Sequence, residues 1–275
     1  MITTSPVTNH TDKSQIIGRL QEDIYTNQLI IGDIHEPMNQ LSDIFKIVHD
    51  GEIIGGWSIF RGFKDPVIVF PPDLPEAWQT IKDWVNVMNL SQFTVSFPKD
   101  TPKAHNQKPW HEWSNYKWEH MFTDNAMRLE KEEVNNIELD KLPTIRGIGI
   151  DEKEKLIPFF KEVSKLPSYT GFFNPLQLLT ELYVIAEEHD EIIGVAGTHY
   201  ETPSTVQIGN VYVKPEYRKR GIGKALTTAV VLGILRSYRI PTLFVNDKND
   251  DARRLYESMG FKIYNQFEFY LGKKV

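Results

Sequence analysis

The 275-residue chain contains no cysteine, which excludes disulfide scaffolds, thiolate nucleophiles and cysteine-ligated zinc by count. No apolar run comes near the ~20 residues that span a bilayer, and the opening residues Met1 to Ser14 show no basic start followed by an apolar block. A soluble, cytoplasmic protein with no membrane partner is expected. Excess positive charge is missing as well: 31 Lys+Arg against 37 Asp+Glu give a net charge of −6. That balance does not suit a protein that wraps nucleic-acid backbone, so no nucleic-acid partner is expected. What is present is ordinary globular usage, 40% hydrophobic and 25% charged, enough to bury one large core or two modest ones.

The charge is unevenly shared. Residues 1–134 hold 12 basic and 19 acidic side chains, whereas residues 135–275 hold 19 and 18. All six tryptophans fall in the first part. The shift predicts two domains, 1–134 and 135–275, with the boundary in the charged stretch between Glu130 and Leu142. Internal similarity supports a duplication. Ile47 to Gly55 and Ile185 to Gly194 both read as hairpins in which a strand meets a polar turn and returns through Ile-Ile-Gly. Glu52 and Glu191, at matching places, are 139 residues apart. Each half also closes on a strand-like segment, Asn125 to Glu130 or Gln266 to Leu271.

In the first half, Pro75 opens a helix to about Asn89 that turns Trp78, Ile81, Val85 and Met88 to the core. The second half alternates. A strand near Leu142 to Ile148, a helix from Asp151 to about Lys165 and the hairpin are followed by a strand at Thr205 to Val213. A helix at Gly221 to Arg236, a buried strand at Leu243 to Asn246, a helix at Asp250 to Met259 and a last strand complete the series.

The segment from Val211 to Leu226 carries the chemistry. Pro215 ends a strand, and Gly221 and Gly223 let the backbone bend where a helix begins. Unpaired N–H groups at the positive end of a helix form a phosphate site, and five basic residues between Lys214 and Lys224 are expected to add to its field. A Walker loop would need glycine at Arg218 and Ser or Thr at Ala225, and a dinucleotide fingerprint would need glycine at Leu226; neither pattern is met. What remains is Arg-x-x-Gly-x-Gly at Arg218, Gly221 and Gly223, directly after an apolar strand.

Here the chain resembles the GNAT superfamily of N-acyltransferases, in which this pattern binds the pyrophosphate of acetyl-CoA. Asn249 to Phe261, with Asn249, Ala252, Leu255-Tyr256 and Gly260-Phe261, resembles the closing signature of the same family. The resemblance implies a mixed-sheet α/β fold with two GNAT-like domains in tandem, the second carrying the cofactor motifs and the first degenerate. It implies acetyl-CoA as co-substrate, no metal, and direct attack of a primary amine on the thioester. Val211, Tyr212 and Val213 would pair with the pantetheine arm, and the segment Arg218, Lys219, Arg220, Gly221, Ile222, Gly223 and Lys224 would cradle the pyrophosphate. Asn249 would cap the next helix and reach the arm. Tyr256 would line the cofactor and protonate the departing thiolate as general acid. The acceptor is expected to be a small-molecule amine. A CoA-binding sensor without turnover and an acetyltransferase for peptide or protein N-termini are the other readings. Oligomeric state is silent.

The amine's proton acceptor has no match to the family pattern. The strand before Asn249 reads Leu243-Phe244-Val245 with no acid, which leaves Glu201, His199 and Asp247 as substitutes. The aromatic run Trp110 to His120 is read as core rather than metal site, since His111 and His120 lack a ligand spacing. Gly171-Phe172-Phe173, after Tyr169, is either a lid over the acceptor or a packed connection.

Overall fold

The computed structural model describes residues 1–35, 37–71, 73–99, 110, 113–130, 142–166 and 172–275. The expected domain boundary at 134/135, and His111, Tyr169 and Gly171, lie outside the described residues. In chain order the elements are β1 (Ile2–Pro6), α1 (His10–Leu20), α2 (Gln28–Ile34), β2 (Ser42–His49), β3 (Glu52–Phe60), β4 (Val67–Val69), α3 (Trp78–Met88), β5 (Gln92–Pro98) and β6 (Tyr116–Leu129). There follow β7 (Thr144–Gly147), α4 (Leu156–Val163), β8 (Tyr183–Glu188), β9 (Glu191–Glu201), β10 (Thr205–Val213), α5 (Ile222–Leu235), β11 (Ile240–Asn246), α6 (Asp250–Ser258) and β12 (Phe261–Lys274).

The chain divides into two compact units. One comprises Met1–Ala126 with Asn246–Lys248 and Ile263–Val275; the other comprises Met127–Val245 and Asn249–Lys262. The last residues therefore group with the first unit, a division that a single cut in the sequence does not express. The cause is strand pairing: Phe267 to Lys273 of β12 run antiparallel to Pro98 to Gln92 of β5.

In the first unit the sheet runs β1-β2-β3-β4-β5-β12-β6, and in the second β11-β10-β9-β8-β7. Both are mixed. Each unit has an antiparallel hairpin, a third antiparallel strand, a helix, and then a strand parallel to the third, β4 with β5 or β10 with β11. The hairpin turns adopt positive φ at Asp50 and Gly51 and again at His189 and Asp190, as tight two-residue turns require. The hairpins share a finer feature. Ile47 faces Gly55 while Val48 faces Ile53, and Ala186 faces Gly194 while Glu187 faces Ile192. The same register slip thus recurs at the same offset, which independent hairpins have no physical reason to share.

The first core gathers Phe45, Trp57, Phe70, Trp78, Ile81, Val85, Phe93 and the aromatic run Trp110, Trp113 and Tyr116. Those aromatics are core, as their composition suggests. The helix over them begins with a 3-10 turn at Pro75–Ala77 and ends on Asn89 in the left-handed conformation. In the second unit the sheet is covered on two faces. One face packs Val206, Ile208, Ile222, Leu226, Val230, Tyr256 and Phe261 against α5 and α6; the other packs Leu156, Phe160, Tyr183, Val195 and Tyr212 against α4. The helix expected from Asp151 starts later, because Ile150–Lys155 winds as 3-10 before α4 begins at Leu156.

Leu226 is fully buried on the side of α5 that seats on the sheet. Leu226→Ala should lower the unfolding free energy by about 2–5 kcal/mol, read as a lower urea midpoint.

Candidate active site

The site is built where β10 leaves β11. The two strands pair in parallel only from Thr205↔Ile240 to Ile208↔Leu243, although both continue beyond. On the opposite edge, the pairing of β10 with β9 is irregular between Gly209 and Tyr212, and Asn210 has φ +54. A residue in that left-handed conformation inserts a bulge, bends the strand and shifts which side chains face which layer. The shift is visible: Val206 and Ile208 pack toward α5, then Val211 and Val213 do, while Tyr212 packs toward α4. The bulge is secured by Asn210 Nδ2 donating to the Tyr183 hydroxyl at 3.3 Å.

Beyond Val213 the chain turns through a 3-10 segment at Pro215–Tyr217, takes positive φ at Lys219 (+61) and Gly221 (+83), and enters α5 with Gly221 as N-cap. No side chain caps α5, and no acid stands in its first turn. The first amides of an α-helix have no intrahelical acceptor, so Ile222, Gly223 and Lys224 point donors out of the positive end of a 14-residue helix. Gly221 cannot take a side chain without strain at that φ. Gly223 is different: a Cβ there would meet Leu255 Cδ2 at 3.7 Å and Val213 Cγ2 at 3.8 Å, ordinary contacts that admit alanine but crowd anything larger. The loop, the end of β10 and α6 therefore converge on Gly223. An uncapped amide cluster beside a strand edge without a ladder partner fits a diphosphate with an amide-bearing arm.

Most of the basic side chains expected to add to the field have acidic or carbonyl partners. Lys214 Nζ lies 2.5 Å from Glu191, Lys219 Nζ 2.5 Å from Asp251 Oδ2, and Arg220 Nη2 2.8 Å from Glu188 Oε1. Each charge is matched by a neighbouring acid, and the pairing holds the Glu188 and Asp251 carboxyls below their usual range. Arg218 turns back on its own strand: Nε donates to the Val213 carbonyl at 2.9 Å and the guanidinium lies 5.3 Å from the Tyr212 ring centre. Its side chain fastens the loop to β10. The amides and the helix end, together with Lys224, supply what field remains for an anion.

Asn249 caps α6 as expected, its Oδ1 accepting from Ala252 N at 3.2 Å. Tyr256 is 7% exposed, packs edge-on to Phe261 and is the buried residue of α6. Burial pushes its phenol up to about 12, so the hydroxyl stays protonated at neutral pH, as a proton donor must.

Two features escaped the sequence reading, the Asn210 bulge and the buried Glu181, whereas His199 was among the expected candidates. Gly209-Asn210 inside an apolar strand is the readable trace of the bulge. His199 of β9 covers Gly209, where an added Cβ would lie 2.8 Å from its Cβ and 2.9 Å from its Nδ1. Its ring stacks with Phe172 (5.5 Å) and with Tyr200 (4.7 Å), and burial lowers its pKa to about 4. Phe172 is thus packed on β9. Beside it, Thr198 Oγ1 donates to the buried Glu181 carboxyl and accepts from Leu182 N at 3.0 Å. Glu201, another expected candidate, is tied to Arg239 at 2.5 Å, and Asp247 belongs to the first unit. Among the described residues no cluster of His, Cys, Asp and Glu could hold a metal ion, and no helix is long and apolar enough to cross a membrane.

The second unit is thus an α/β domain in which a parallel strand pair opens beside a helix start that no side chain caps. Residues 152–261 match the acetyltransferase (GNAT) family model. A mycothiol acetyltransferase of Acidimicrobium ferrooxidans is 36% identical over 87 residues, 30% of this chain and 28% of that protein, so the likeness spans well under a third of the curated relative. Solved structures share the fold at low identity. A tandem GNAT protein from the clavulanic acid biosynthesis pathway superposes with a TM-score of 0.63 at 12% identity, covering 99% of this chain and 98% of that one. A GNAT-family putative acetyltransferase from Novosphingobium aromaticivorans gives 0.63 at 15%, covering 92% and 100%. A GCN5-related N-acetyltransferase from Sphaerobacter thermophilus gives 0.57 at 18%, covering 99% and 95%.

Burial raises Glu181 from 4.5 to about 8. A carboxyl whose folded pKa is raised favours the folded state most below its unfolded value, and that contribution is lost as pH climbs from 4.5 through about 8. Glu181→Gln should therefore flatten the fall in melting temperature between pH 5 and pH 8, checked by calorimetry across that range.

Proposed function

We propose that the second unit transfers an acetyl group from acetyl-CoA to a primary amine of a small-molecule acceptor, in a ternary complex, in the cytoplasm and without a metal. The observation that carries this reading is the uncapped start of α5 facing the opening between β10 and β11. Amides from Lys219 to Lys224 bind the pyrophosphate. The edge of β10 from Val211 to Val213 pairs with the pantetheine amides, and an N–H near Val211 or Tyr212 polarises the thioester carbonyl. Tyr256, protonated and buried beside β10 and α5, gives its proton to the departing sulfur. The first unit lacks the Arg-x-x-Gly-x-Gly loop and does not bind the cofactor.

Two measurements test this. Acetyl-CoA at 100 times its dissociation constant should add about 2.7 kcal/mol to the unfolding free energy, and replacing both Gly221 and Gly223 with valine should abolish the gain. Retention of the gain would place the phosphates elsewhere. Thiol release should then be followed with benzylamine, glucosamine, spermidine and a tetrapeptide. Release with an amine supports transfer, release with the peptide alone favours a peptide acetyltransferase, and tight binding without release favours a sensor. Tyr256→Phe should slow turnover by about 100-fold with acetyl-CoA affinity unchanged, and an unaltered rate would remove Tyr256 from the mechanism.

A further inference from the structure

An amine that attacks a thioester must lose a proton, and the elements of the second unit around the opening contain few groups able to take it. Glu216 is exposed in the turn after β10, and five other carboxylates are engaged. Glu201 is paired with Arg239, Glu188 with Arg220, Glu191 with Lys214 and Asp251 with Lys219. Glu181 is hydrogen-bonded by Thr198 and holds its own proton up to about pH 8. His199 is the exception. Its Nε2 is buried without a hydrogen-bond partner among the described residues. A neutral imidazole nitrogen left in that state has an unmet acceptor or donor, which costs stability unless something else uses it.

Its place in the fold is specific. The last pair of β10 with β11 is Ile208↔Leu243, and the imidazole lies on Gly209, the next residue. Any side chain at 209 would displace the ring, since a Cβ alone would approach it to 2.9 Å. His199 is thus held at the fork of the two strands, one residue before the Asn210 bulge and two before Val211. Phe172 and Tyr200 each lie nearly parallel to the ring, at interplanar angles of 17° and 13°. Glu201 of the same strand is paired with Arg239, and Glu181, which precedes β8, is hydrogen-bonded by Thr198. The ring therefore has no ion-pair partner among the described residues, and burial keeps it neutral at pH 7.

We infer that His199 is the catalytic base, its Nε2 accepting the proton of the attacking amine. This rests on the acyl-transfer reading above. In the step, the C–N bond forms as the C–S bond breaks; the amine proton passes to His199 Nε2, and the Tyr256 hydroxyl proton passes to sulfur. Solvent then takes one proton from the imidazolium and returns one to the phenolate, so an amide and a free thiol leave with nothing else consumed. The assignment requires the Nδ1–H tautomer, with Nε2 unprotonated.

The test uses the full chain, acetyl-CoA and the four-amine panel. His199→Ala and His199→Gln should each lower kcat with the best panel amine by about 100-fold or more, leave acetyl-CoA affinity by calorimetry unchanged, and make the rate climb with pH toward the amine's own pKa. Added imidazole should restore part of the rate to His199→Ala. Unchanged kcat in both variants would overturn the assignment, and so would a loss of acetyl-CoA binding that matches the loss of rate, since that marks a packing role. Nitrogen-15 spectra of the wild-type imidazole at pH 7 keep the assignment testable if a variant fails to fold: a neutral ring with the proton on Nδ1 is expected, and an imidazolium or an Nε2–H tautomer overturns it. Should wild type bind acetyl-CoA yet release thiol with none of the four amines, the acyl-transfer reading fails for these acceptors, and the spectra then decide the tautomer independently.

Discussion

The second unit depends on one interruption in its hydrogen bonding. Strands β10 and β11 are parallel neighbours for four residue pairs and then separate, because the Asn210 bulge bends β10 while β11 runs on. A longer ladder would close the sheet and leave no strand edge for a ligand. Once the ladder stops, the edge of β10 is open to another chain of amides, and α5 begins nearby with its first N–H groups uncapped. The bulge also moves Val211 and Val213 onto the face covered by α5 and α6, next to Tyr256. Gly209, at the point of divergence, gives its space to His199.

The first unit shows what the same topology does without that interruption. Its third strand, β4, has three residues, and all three pair with both β3 and β5, so no edge is left open within it. The connection to α3 has no glycine loop. It places Leu74 over Gly55, where an added Cβ would come within 2.5 Å of Leu74 Cδ1, and Trp78 Nε1 bonds the Pro71 carbonyl at 3.2 Å. Apolar packing fills the helix start there, whereas in the second unit Gly221 and Gly223 leave it bare. The shared register slip in the two hairpins speaks for a common origin, and the two helix starts show how the copies have parted.

Periodicity made β10, α5, β11 and α6 readable to within a few residues, because their apolar faces are long and their ends are marked by Pro215, Gly221 and Asn249. The aromatic run from Trp110 was legible as core for a similar reason: aromatic area drives burial whatever its order. The site was legible where the backbone makes it, at the glycine loop and the helix cap. It was not legible where side chains choose among partners. Arg218 reads as a phosphate ligand in sequence, yet its guanidinium serves the Val213 carbonyl, and Lys214, Lys219 and Arg220 find acids distant in the chain. His199 was named only as one of three candidates, and Glu181 gave no signal at all, since its character comes from being buried beside Thr198. The grouping of Ile263–Val275 with the first unit was hidden too, because it follows from a pairing with β5 that no local pattern encodes.

The proposed reaction depends on main-chain donors at the start of α5 meeting a diphosphate. Backbone amide resonances followed while coenzyme A is titrated into the protein test it most directly. The largest shifts are predicted at Lys219 to Lys224, with smaller ones along Val211 to Val213, and pantetheine without the diphosphate should move only the latter. Unmoved amides at Ile222, Gly223 and Lys224 under saturating coenzyme A would contradict it.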